Sequence, residues 1–529
     1  MPVSALRCGI ALFVLAMLCG GLESATPIRV LQPTAAPMRD DTAGDPTSLA
    51  TPVDAINAVD VSENAAPEAR TVEPEPIAAT PFPIDAIDRD YPLHGLAVHL
   101  IDQVYSEPSD RAVPIGYFRR GGRLRAKLGV PGPGCDTRWH AILGGGFICA
   151  DHGFVLDKTA PDREALPSPP SLHDALPYDY AKITSDTPLF NRMPTVEENR
   201  ALPELVALLK RVSLAMSIKK PEPVKKAPAK TTAKGGAQKN GKHLESKPKP
   251  PLGPKFPEFV KMLMQPGFYV SVDGHDEVGG GALLRTVRGQ WASARGELDV
   301  HASSLHGVVL DHGLNGLAFV YRGGLPSFTR DPMTGAVARG VNLHTLEPLS
   351  LTDEVVRDRG REFRVARDGR LVPIDALRIV PVTPRPPFIP PGSRYIAVSL
   401  STQSLVAYEG NTAVFATLVS TGKPEHETPT GIFRIQQKHV STTMDGEAGT
   451  DEAYSIEDVP WTMYFSGSVA LHAAFWHERF GQTRSHGCVN LAPLDARWLF
   501  EWSAPNLPLG FHGVFATREN PGTFVVIAP

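Results

Sequence analysis

Proline-rich stretches decide where this chain can build a folded core. Of the 51 prolines of the sequence, 24 lie in residues 26–92, in residues 218–256 and between Pro381 and Pro391. Proline lacks a backbone N–H and fixes φ, so such stretches cannot continue a helix or lie inside a sheet. We therefore predict a disordered segment at 26–92, a linker at 218–256 and a stiff connector after Pro381.

The linker at 218–256 is strongly basic. Its residues 219–255 contain eleven lysines and two glutamates, with too few apolar side chains to form a core. We interpret it as a solvated spacer, and attraction to an anionic wall polymer or membrane surface is the alternative. The net charge of the whole chain is −4, without the basic excess of a nucleic-acid-binding protein, so no nucleic-acid partner is expected.

The N-terminus has the order of features found in secretory signals. Residues 1–25 contain the basic Arg7, then an apolar run at 8–18, and then small residues. The apolar run is shorter than the roughly 20 residues that span a bilayer, and no later segment is long and apolar enough. We predict a signal peptide at 1–25 and an exported protein of the periplasm or cell wall, with no membrane span once the signal is removed. Retention as an anchor, or lipidation at Cys19, is the alternative.

Between the proline-rich stretches, short β-rich runs alternate with turn residues. Residues 93–217 contain several such runs and then one helix, which begins at a capping box formed by Thr195 and Glu198. The runs resemble a bacterial SH3-like domain, which is a small β-barrel-like module. Residues 257–385 predict a second β-rich module without a nucleophile, phosphate loop or metal-ligand spacing, and we infer a binding or positioning role for it. The expected fold is mainly β and multidomain.

The last segment, 393–529, has the pattern of consecutive hairpins. Apolar and polar residues alternate from 395 to 400, as in a half-buried strand. Pro493 favours the start of a helix, because the first N–H groups of a helix need no partner. The acidic stretch at 436–460 lacks periodicity, so we predict an irregular insert that forms a lid over the site, with a solvated loop as the alternative.

The five cysteines divide into three groups. Cys8 and Cys19 lie in the predicted signal. Cys135 and Cys149 bracket a hairpin pattern, and in an oxidising compartment we expect them to form a disulfide. Cys488 is left over, which makes it a candidate reactive thiol, with an inert buried cysteine as the alternative.

The unpaired cysteine lies in the sequence Ser-His-Gly-Cys-Val-Asn at 485–490. The thiolate is the nucleophilic form of cysteine, and a neighbouring base makes it available near neutral pH. Upstream, an apolar run at 469–471 predicts a strand that presents His472 at its end. We therefore predict that Cys488 is a nucleophile and that the imidazole of His472 acts beside it.

Taken in order, these motifs resemble the catalytic domain of the L,D-transpeptidase family. The resemblance rests on Leu-His at 471–472, Phe-Trp at 475–476, the block at 485–491 and the Thr-Pro-Thr-Gly turn at 428–431. It extends from about Ser393 to Thr517, although Ala473 and the short interval before Ser485 depart from the family pattern. It implies a β-sandwich-like domain at 393–529 with a short helix after the cysteine, in which Cys488 is the nucleophile and His472 the general acid/base.

The same resemblance, together with local chemistry, suggests roles for the surrounding residues. Glycine permits close approach of the backbone, so N–H groups near Gly487 and Cys488 are expected to bind an oxyanion. His486 is expected to orient the site, and Ser485 to form a hydrogen bond with His472. Four residues are predicted to bind substrate: Asn490, Trp476, His477 and Arg484. A turn role for Asn490 and a surface role for Arg484 are the alternatives.

The resemblance implies acyl transfer on peptidoglycan stem peptides. The cysteine would form a thioester with a tetrapeptide stem, cut between meso-diaminopimelate and D-alanine, and pass it to an amine. That amine would belong to a second stem, giving a 3–3 cross-link, or to an acceptor protein of the wall. An L,D-carboxypeptidase with water as acceptor, and a wall-binding protein with an inactive catalytic domain, are the alternatives.

A metal centre is a further alternative for the same residues. His472, His477, His486 and Cys488 have side chains that bind zinc. Their spacing matches no common zinc pattern, so we predict neither a metal nor a cofactor.

Overall fold

Short strands bounded by turns make up most of the molecule. A computed structural model of the chain describes residues 84–161, 166–218, 255–311, 313–445 and 455–529. The predicted signal peptide and most of the predicted disordered segment and linker lie outside the described residues. No helix among the described residues is long and apolar enough to cross a membrane. Within residues 1–89, the structure describes only the residues from Ile84 onward, which form most of the short helix α1 (Ile84–Asp90).

The first β module follows α1. Its strands are β1 (Leu93–Ala97), β2 (Asp102–Tyr105), β3 (Pro114–Phe118), β4 (Arg123–Ala126), β5 (Trp139–Ala141), β6 (Phe147–Cys149) and β7 (Phe154–Asp157). β1 pairs with β4 and β7, while β2 pairs with β3 and β6. Alternation along the strands buries Val104, Phe118 and Ile148 in one core. A disulfide joins Cys135 and Cys149 beside the β5–β6 hairpin.

Strands from both sides of the predicted linker build the second β module. Its elements are β8 (Asp179–Ile183), β9 (Thr187–Phe190), α2 (Val196–Arg200), α3 (Leu202–Ile218), β10 (Val260–Met264), β11 (Tyr269–Val278), β12 (Gly281–Thr286), β13 (Trp291–Ser293) and β14 (Glu297–Val300). β9 pairs with β10, and β8 pairs with β11. The predicted segments 93–217 and 257–385 therefore share a sheet. The capping box of Thr195 and Glu198 is confirmed, but the helix is divided in two at Ala201.

The third β module precedes the proline connector. Its elements are β15 (Val308–Val309), β16 (Leu317–Val320), β17 (Pro326–Arg330), β18 (Val337–Asn342), β19 (Pro348–Asp358), β20 (Arg361–Ala366), β21 (Leu371–Pro373), a 3-10 turn (Ile374–Ala376) and β22 (Leu377–Ile379). Seven of the strands form one sheet in the order β18-β17-β21-β20-β19-β16-β22. Their inward side chains, such as Leu351 and Val372, form a separate core.

Two facing sheets and one helix form the C-terminal segment. Its elements are β23 (Arg394–Ser399), β24 (Ser404–Glu409), β25 (Thr412–Leu418), β26 (Gly431–Arg434), β27 (Gln437–Asp445), β28 (Ser455–Ser466), β29 (Val469–Ala473), β30 (Val489–Leu491), α4 (Pro493–Trp502), β31 (Gly513–Phe515) and β32 (Phe524–Ala528). One sheet has the order β15-β25-β24-β23-β32-β26, and the other contains β31, β27, β28, β29 and β30. Leu405, Trp461 and Val525 fill the core. The predicted mainly β fold, with a helix that begins at Pro493, is confirmed.

The prediction of an irregular insert at 436–460 is wrong for the part of it that the structure describes. β27 and β28 pair antiparallel from Gln437 opposite Tyr464 to the hairpin end, and only residues 446–454 lie outside the described residues. β28 is buried on both faces, so it shows no alternation in sequence. Asp458 and Trp461 have φ of +55° and +51°, which further interrupts the strand pattern.

Asp458 is a buried junction between the β27–β28 hairpin and two N-terminal modules. Arg119, next to β3, donates to both of its carboxylate oxygens at 2.6 and 2.9 Å, and Ser271 of β11 donates at 2.6 Å. Arg288 adds an ion pair at 3.3 Å. Burial alone would raise the pKa of Asp458, but Arg119 and Arg288 hold it well below its usual range. Residues 90–529 pack into one compact unit around contacts of this kind.

Candidate active site

Parallel pairing aligns β29, which carries His472, with β30, which directly follows Cys488. Leu471 is opposite Val489, and His472 is opposite Asn490. Leu471 and Val489 are fully buried in the core between the sheets. Because side chains alternate along a strand, His472 and Cys488 are directed to the opposite face. Core packing therefore sets the register of the strand that carries His472 against the strand that directly follows Cys488.

The imidazole of His472 is buried and its orientation is fixed. Its Nδ1 lies 3.0 Å from the carbonyl oxygen of Ala473, and its ring stacks on Trp476 with centroids 5.8 Å apart. The carbonyl can only accept, so Nδ1 carries the proton of the neutral ring and Nε2 carries the lone pair. Burial lowers the pKa of His472 to about 4. The ring is therefore a neutral base at physiological pH.

Cys488 is the free cysteine of the described residues and is partly exposed. Its Sγ lies 3.8 Å from the carbonyl oxygen of Ser468. Burial of the thiol raises its pKa to about 11, an effect opposed by the N–H of Ala470. The resting group at neutral pH is therefore a thiol and not the thiolate expected from the sequence, so attack requires that a base remove its proton.

Ser485 and Gly487 shape the loop before the nucleophile. The Ser485 hydroxyl donates to the Cys488 carbonyl at 2.5 Å and accepts from the Gly487 N–H at 3.1 Å. Its single proton is used inside the loop, so the predicted hydrogen bond from Ser485 to His472 is not formed. Gly487 has φ of +116°, and a Cβ there would come no closer than 3.8 Å to any atom beyond its chain neighbours. Glycine is therefore required for its backbone conformation and not for space.

Thr428 supports this loop and was not among the predicted site residues. Its hydroxyl donates to the Gly487 carbonyl at 2.8 Å and accepts from the Gly422 N–H at 2.9 Å. The carbonyl of Thr421 accepts from the N–H groups of Arg484 and Ser485. The sequence signal was the Thr-Pro-Thr-Gly turn, which indicates a turn but not what its hydroxyl contacts.

We expect Thr428→Val to destabilise the protein by about 1–3 kcal/mol, because it leaves a buried N–H and a buried carbonyl without a partner. Thr428→Ser keeps the hydroxyl and serves as the matched control. Urea unfolding of the two variants measures the difference. Equal stability of the valine and serine variants would contradict this role.

The four predicted substrate-binding residues lie in different environments. The side-chain amide of Asn490 meets Nε2 of His477 at 3.0 Å. Burial, together with the nearby charge of Arg484, lowers the pKa of His477 to about 4. Trp476 stacks on His472, whereas Arg484 is exposed. The structure thus brings Asn490, Trp476 and His477 together and places Arg484 at their solvent side.

His486 and the alternative metal ligands are arranged differently. His486 is exposed, and its ring meets that of His426 edge-on with centroids 4.7 Å apart. Within the described residues, the close cluster of potential metal ligands consists of Cys135, Cys149 and Asp151, and its cysteines form the disulfide. The histidines and cysteine of the zinc alternative do not form such a cluster in this part of the chain.

Comparison with known families identifies one segment of the chain. Residues 393–527 match the YkuD family of L,D-transpeptidase catalytic domains. The resemblance inferred from the motifs is therefore confirmed for this segment. The SH3-like resemblance in the N-terminal half stays a prediction. A search among curated proteins finds no match to the chain.

Solved L,D-transpeptidases are also similar to parts of the chain. A mutant enzyme from Enterococcus faecium is 25% identical over 26% of this chain and 50% of its own, with a TM-score of 0.21. The E. faecium catalytic domain is 25% identical over 26% of this chain and 97% of its own, with a TM-score of 0.21. An enzyme from Mycobacterium smegmatis is 16% identical over 47% of this chain and 90% of its own, with a TM-score of 0.22. The chain spans about half the length of the first of these. The resemblance of residues 393–527 to the family rests on the family match and not on these low TM-scores.

Proposed function

We propose that the protein is an exported peptidoglycan L,D-transpeptidase that uses Cys488 as its nucleophile and His472 as its general acid/base. The observation that supports the proposal is the pairing of the strand that carries His472 with the strand that follows Cys488, in a segment that matches this family. Its donor is a tetrapeptide stem, and its acceptor is an amine of a second stem or of a wall protein.

The first half of the reaction begins from the neutral pair. As Sγ of Cys488 attacks the acyl carbon, Nε2 of His472 takes the thiol proton. The Gly487 N–H is bonded to Ser485, so of the two donors expected from the sequence we retain the Cys488 N–H for the oxyanion. The imidazolium then protonates the departing D-alanine amine as the C–N bond breaks, and a thioester remains.

The second half reverses these proton transfers. The acceptor amine attacks the thioester carbon and gives a proton to Nε2 of His472. The C–S bond breaks, and the imidazolium returns its proton to the sulfur. The low pKa of His472 favours both steps in which the ring gives up a proton. Arg484, exposed beside His477, has the charge and position to bind a carboxylate of the donor peptide.

Products from purified tetrapeptide muropeptides test the proposal. We expect cross-linked dimers and free D-alanine, identified by mass spectrometry, from the wild-type protein and neither from Cys488→Ala. Release of D-alanine without dimers, also in the presence of wall protein, would instead identify an L,D-carboxypeptidase. Binding to walls without either product would favour a wall-binding protein with an inactive domain.

The pH dependence of acylation follows from the neutral resting pair. The pKa of His472 is lowered to about 4, so the free base is lost only when the pH falls through that value. The pKa of Cys488 is raised to about 11, so the thiol ionises only when the pH rises through that value. We expect the rate of carbapenem acylation, followed by stopped flow, to be level between these limits. A limb with its midpoint near the ordinary histidine pKa of about 6.5 would show a different ionisation.

A further inference from the structure

The segment 474–484 joins the two halves of the candidate site. It begins after His472, ends before Ser485, and contains Trp476, His477 and Arg484. It has no helix or strand of its own. Single backbone hydrogen bonds from Ala474 to Leu491, from Gly481 to Val419 and from Arg484 to Thr421 attach it to the C-terminal segment. Between these points its position depends on the surfaces that it contacts.

One end of the segment packs against the second β module. The ring of Phe475, which is buried, lies 4.4 Å from the ring of Tyr180 and 5.5 Å from that of Tyr269, centroid to centroid. These tyrosines lie on β8 and β11. Phe475 directly precedes Trp476, so this aromatic contact fixes the chain next to the residue that stacks on His472.

The other end of the segment contacts the third β module at Gly481. The Arg378 Nε donates to the Gly481 carbonyl at 3.0 Å, and the Arg378 guanidinium lies 3.6 Å from the centroid of the Tyr321 ring. A Cβ on Gly481 would lie 2.8 Å from the Tyr321 Cβ. Only a glycine, with φ of +86°, allows this close approach.

The two contacts lie on either side of His477. Phe480, next to Gly481, is buried with Phe319 of the third module, and its ring lies 5.2 Å from that of His477. His477 in turn meets the amide of Asn490. A shift at Gly481 would therefore move His477 and Trp476 relative to the catalytic pair, while Cys488 and His472 remain on strands held by the core.

We propose that Arg378 and Tyr321 are positioning residues for donor binding. They hold Gly481 so that Trp476 and His477 form one wall of the donor site, and the third β module thereby takes part in substrate recognition. This inference rests on the proposed transpeptidase function. It predicts a loss of productive donor binding without a loss of the intrinsic reactivity of Cys488.

Arg378→Ala in the full-length protein tests the inference. We expect kcat/KM for the tetrapeptide donor to fall on the order of tenfold to a hundredfold, through KM, because a small displacement of positioning groups has effects of this size. The rate of Cys488 alkylation by iodoacetamide, which needs no peptide site, should stay within about twofold of the wild-type rate. In activation free energy, this difference is less than a third of that for a tenfold rate change. Arg378→Lys, which can still donate to the Gly481 carbonyl, should recover part of the loss.

Arg322→Ala is the matched control. Arg322 also lies near the Tyr321 ring, at 5.2 Å, but its side chain is 55% exposed and pairs with Asp375 at 3.9 Å. We expect wild-type kinetics from this variant. Equal kcat/KM for Arg378→Ala and Arg322→Ala, or an equal fall in donor turnover and alkylation for Arg378→Ala, would overturn the inference.

Hydrogen–deuterium exchange separates this inference from the proposed function. Arg378→Ala should increase exchange in the peptide that contains 474–484, and Arg322→Ala should not. A wild-type protein without transferase activity would refute the proposed function and leave this measurement valid. Unchanged exchange in Arg378→Ala would refute the positioning contact, whatever the activity. If Arg378→Ala does not fold, Tyr321→Leu provides the same comparison.

Discussion

Cys488→Ala should abolish peptide transfer, with a loss of turnover on the order of 10⁴-fold or more, and should prevent covalent capture of a carbapenem. Removal of a nucleophile has effects of this size because the remaining groups cannot form the covalent intermediate. Cys135 and Cys149 are joined in the disulfide, so among the described residues Cys488 is the free thiol. Intact-mass spectrometry after carbapenem exposure, together with turnover of the tetrapeptide donor, measures both losses.

A comparison with His472→Gln separates the nucleophile from its base. Glutamine preserves a buried polar side chain but cannot take the thiol proton, and the thiol has a pKa of about 11. We expect slow acylation by carbapenem at neutral pH in this variant, which rises with pH as the thiolate forms. An adduct on Cys488→Ala, or undiminished acylation of His472→Gln at neutral pH, would contradict the assigned roles.

The pairing of the two segments next to the predicted catalytic residues could be anticipated from the sequence because it follows from local patterns. Apolar residues at 469–471 predict a strand, and the glycine at 487 allows a turn directly before the cysteine. The pairing of β29 with β30 needs only these two short segments. Thr428 and Ser485 could not be assigned in the same way, because a hydroxyl can bond to any nearby carbonyl and the sequence does not show which one lies in reach.

The contacts between modules could not be predicted, because they leave no local pattern in the sequence. Arg119 and Asp458 are 339 residues apart in sequence, and Tyr117 bonds His439 across 322 residues. Asp458 also lies in a strand that is buried on both faces. In the sequence alone, an acidic residue at this position suggests a solvated loop. The prediction of an irregular insert at 436–460 was wrong because acidic residues and missing alternation both indicate a loop. The sequence does not show that a distant arginine pairs with the buried acid.

The ionisation of the catalytic pair could not be predicted from the motif either. The motif suggests that a base near the cysteine makes its thiolate available near neutral pH. Burial disfavours both charged forms, raising the pKa of Cys488 and lowering that of His472. Burial depends on Trp476 and on the neighbouring strands, so it is a property of the fold and not of the hexapeptide.

Asp458→Asn should be the most destabilising single change at the junction of the modules. The substitution leaves the guanidinium groups of Arg119 and Arg288 close together and buried without the carboxylate that both contact. Breaking a buried ion pair by removing one partner typically costs about 3–5 kcal/mol. Because the pKa of Asp458 is depressed in the folded state, its contribution is complete above the unfolded-state pKa of about 3.9 and is lost as the pH falls toward the folded value.

Chemical denaturation of Asp458→Asn and Asp375→Asn at neutral pH measures this effect against a matched control. Asp375 also pairs with an arginine, but at 3.9 Å and with 69% of its side chain exposed, so its loss should change stability by less than about 1 kcal/mol. The junction joins β3, β11 and β28, so we expect Asp458→Asn to increase hydrogen exchange in all three strands together. Similar stability of the two variants, or exchange that increases in β28 alone, would show that the buried pair does not hold the N-terminal modules against the catalytic domain.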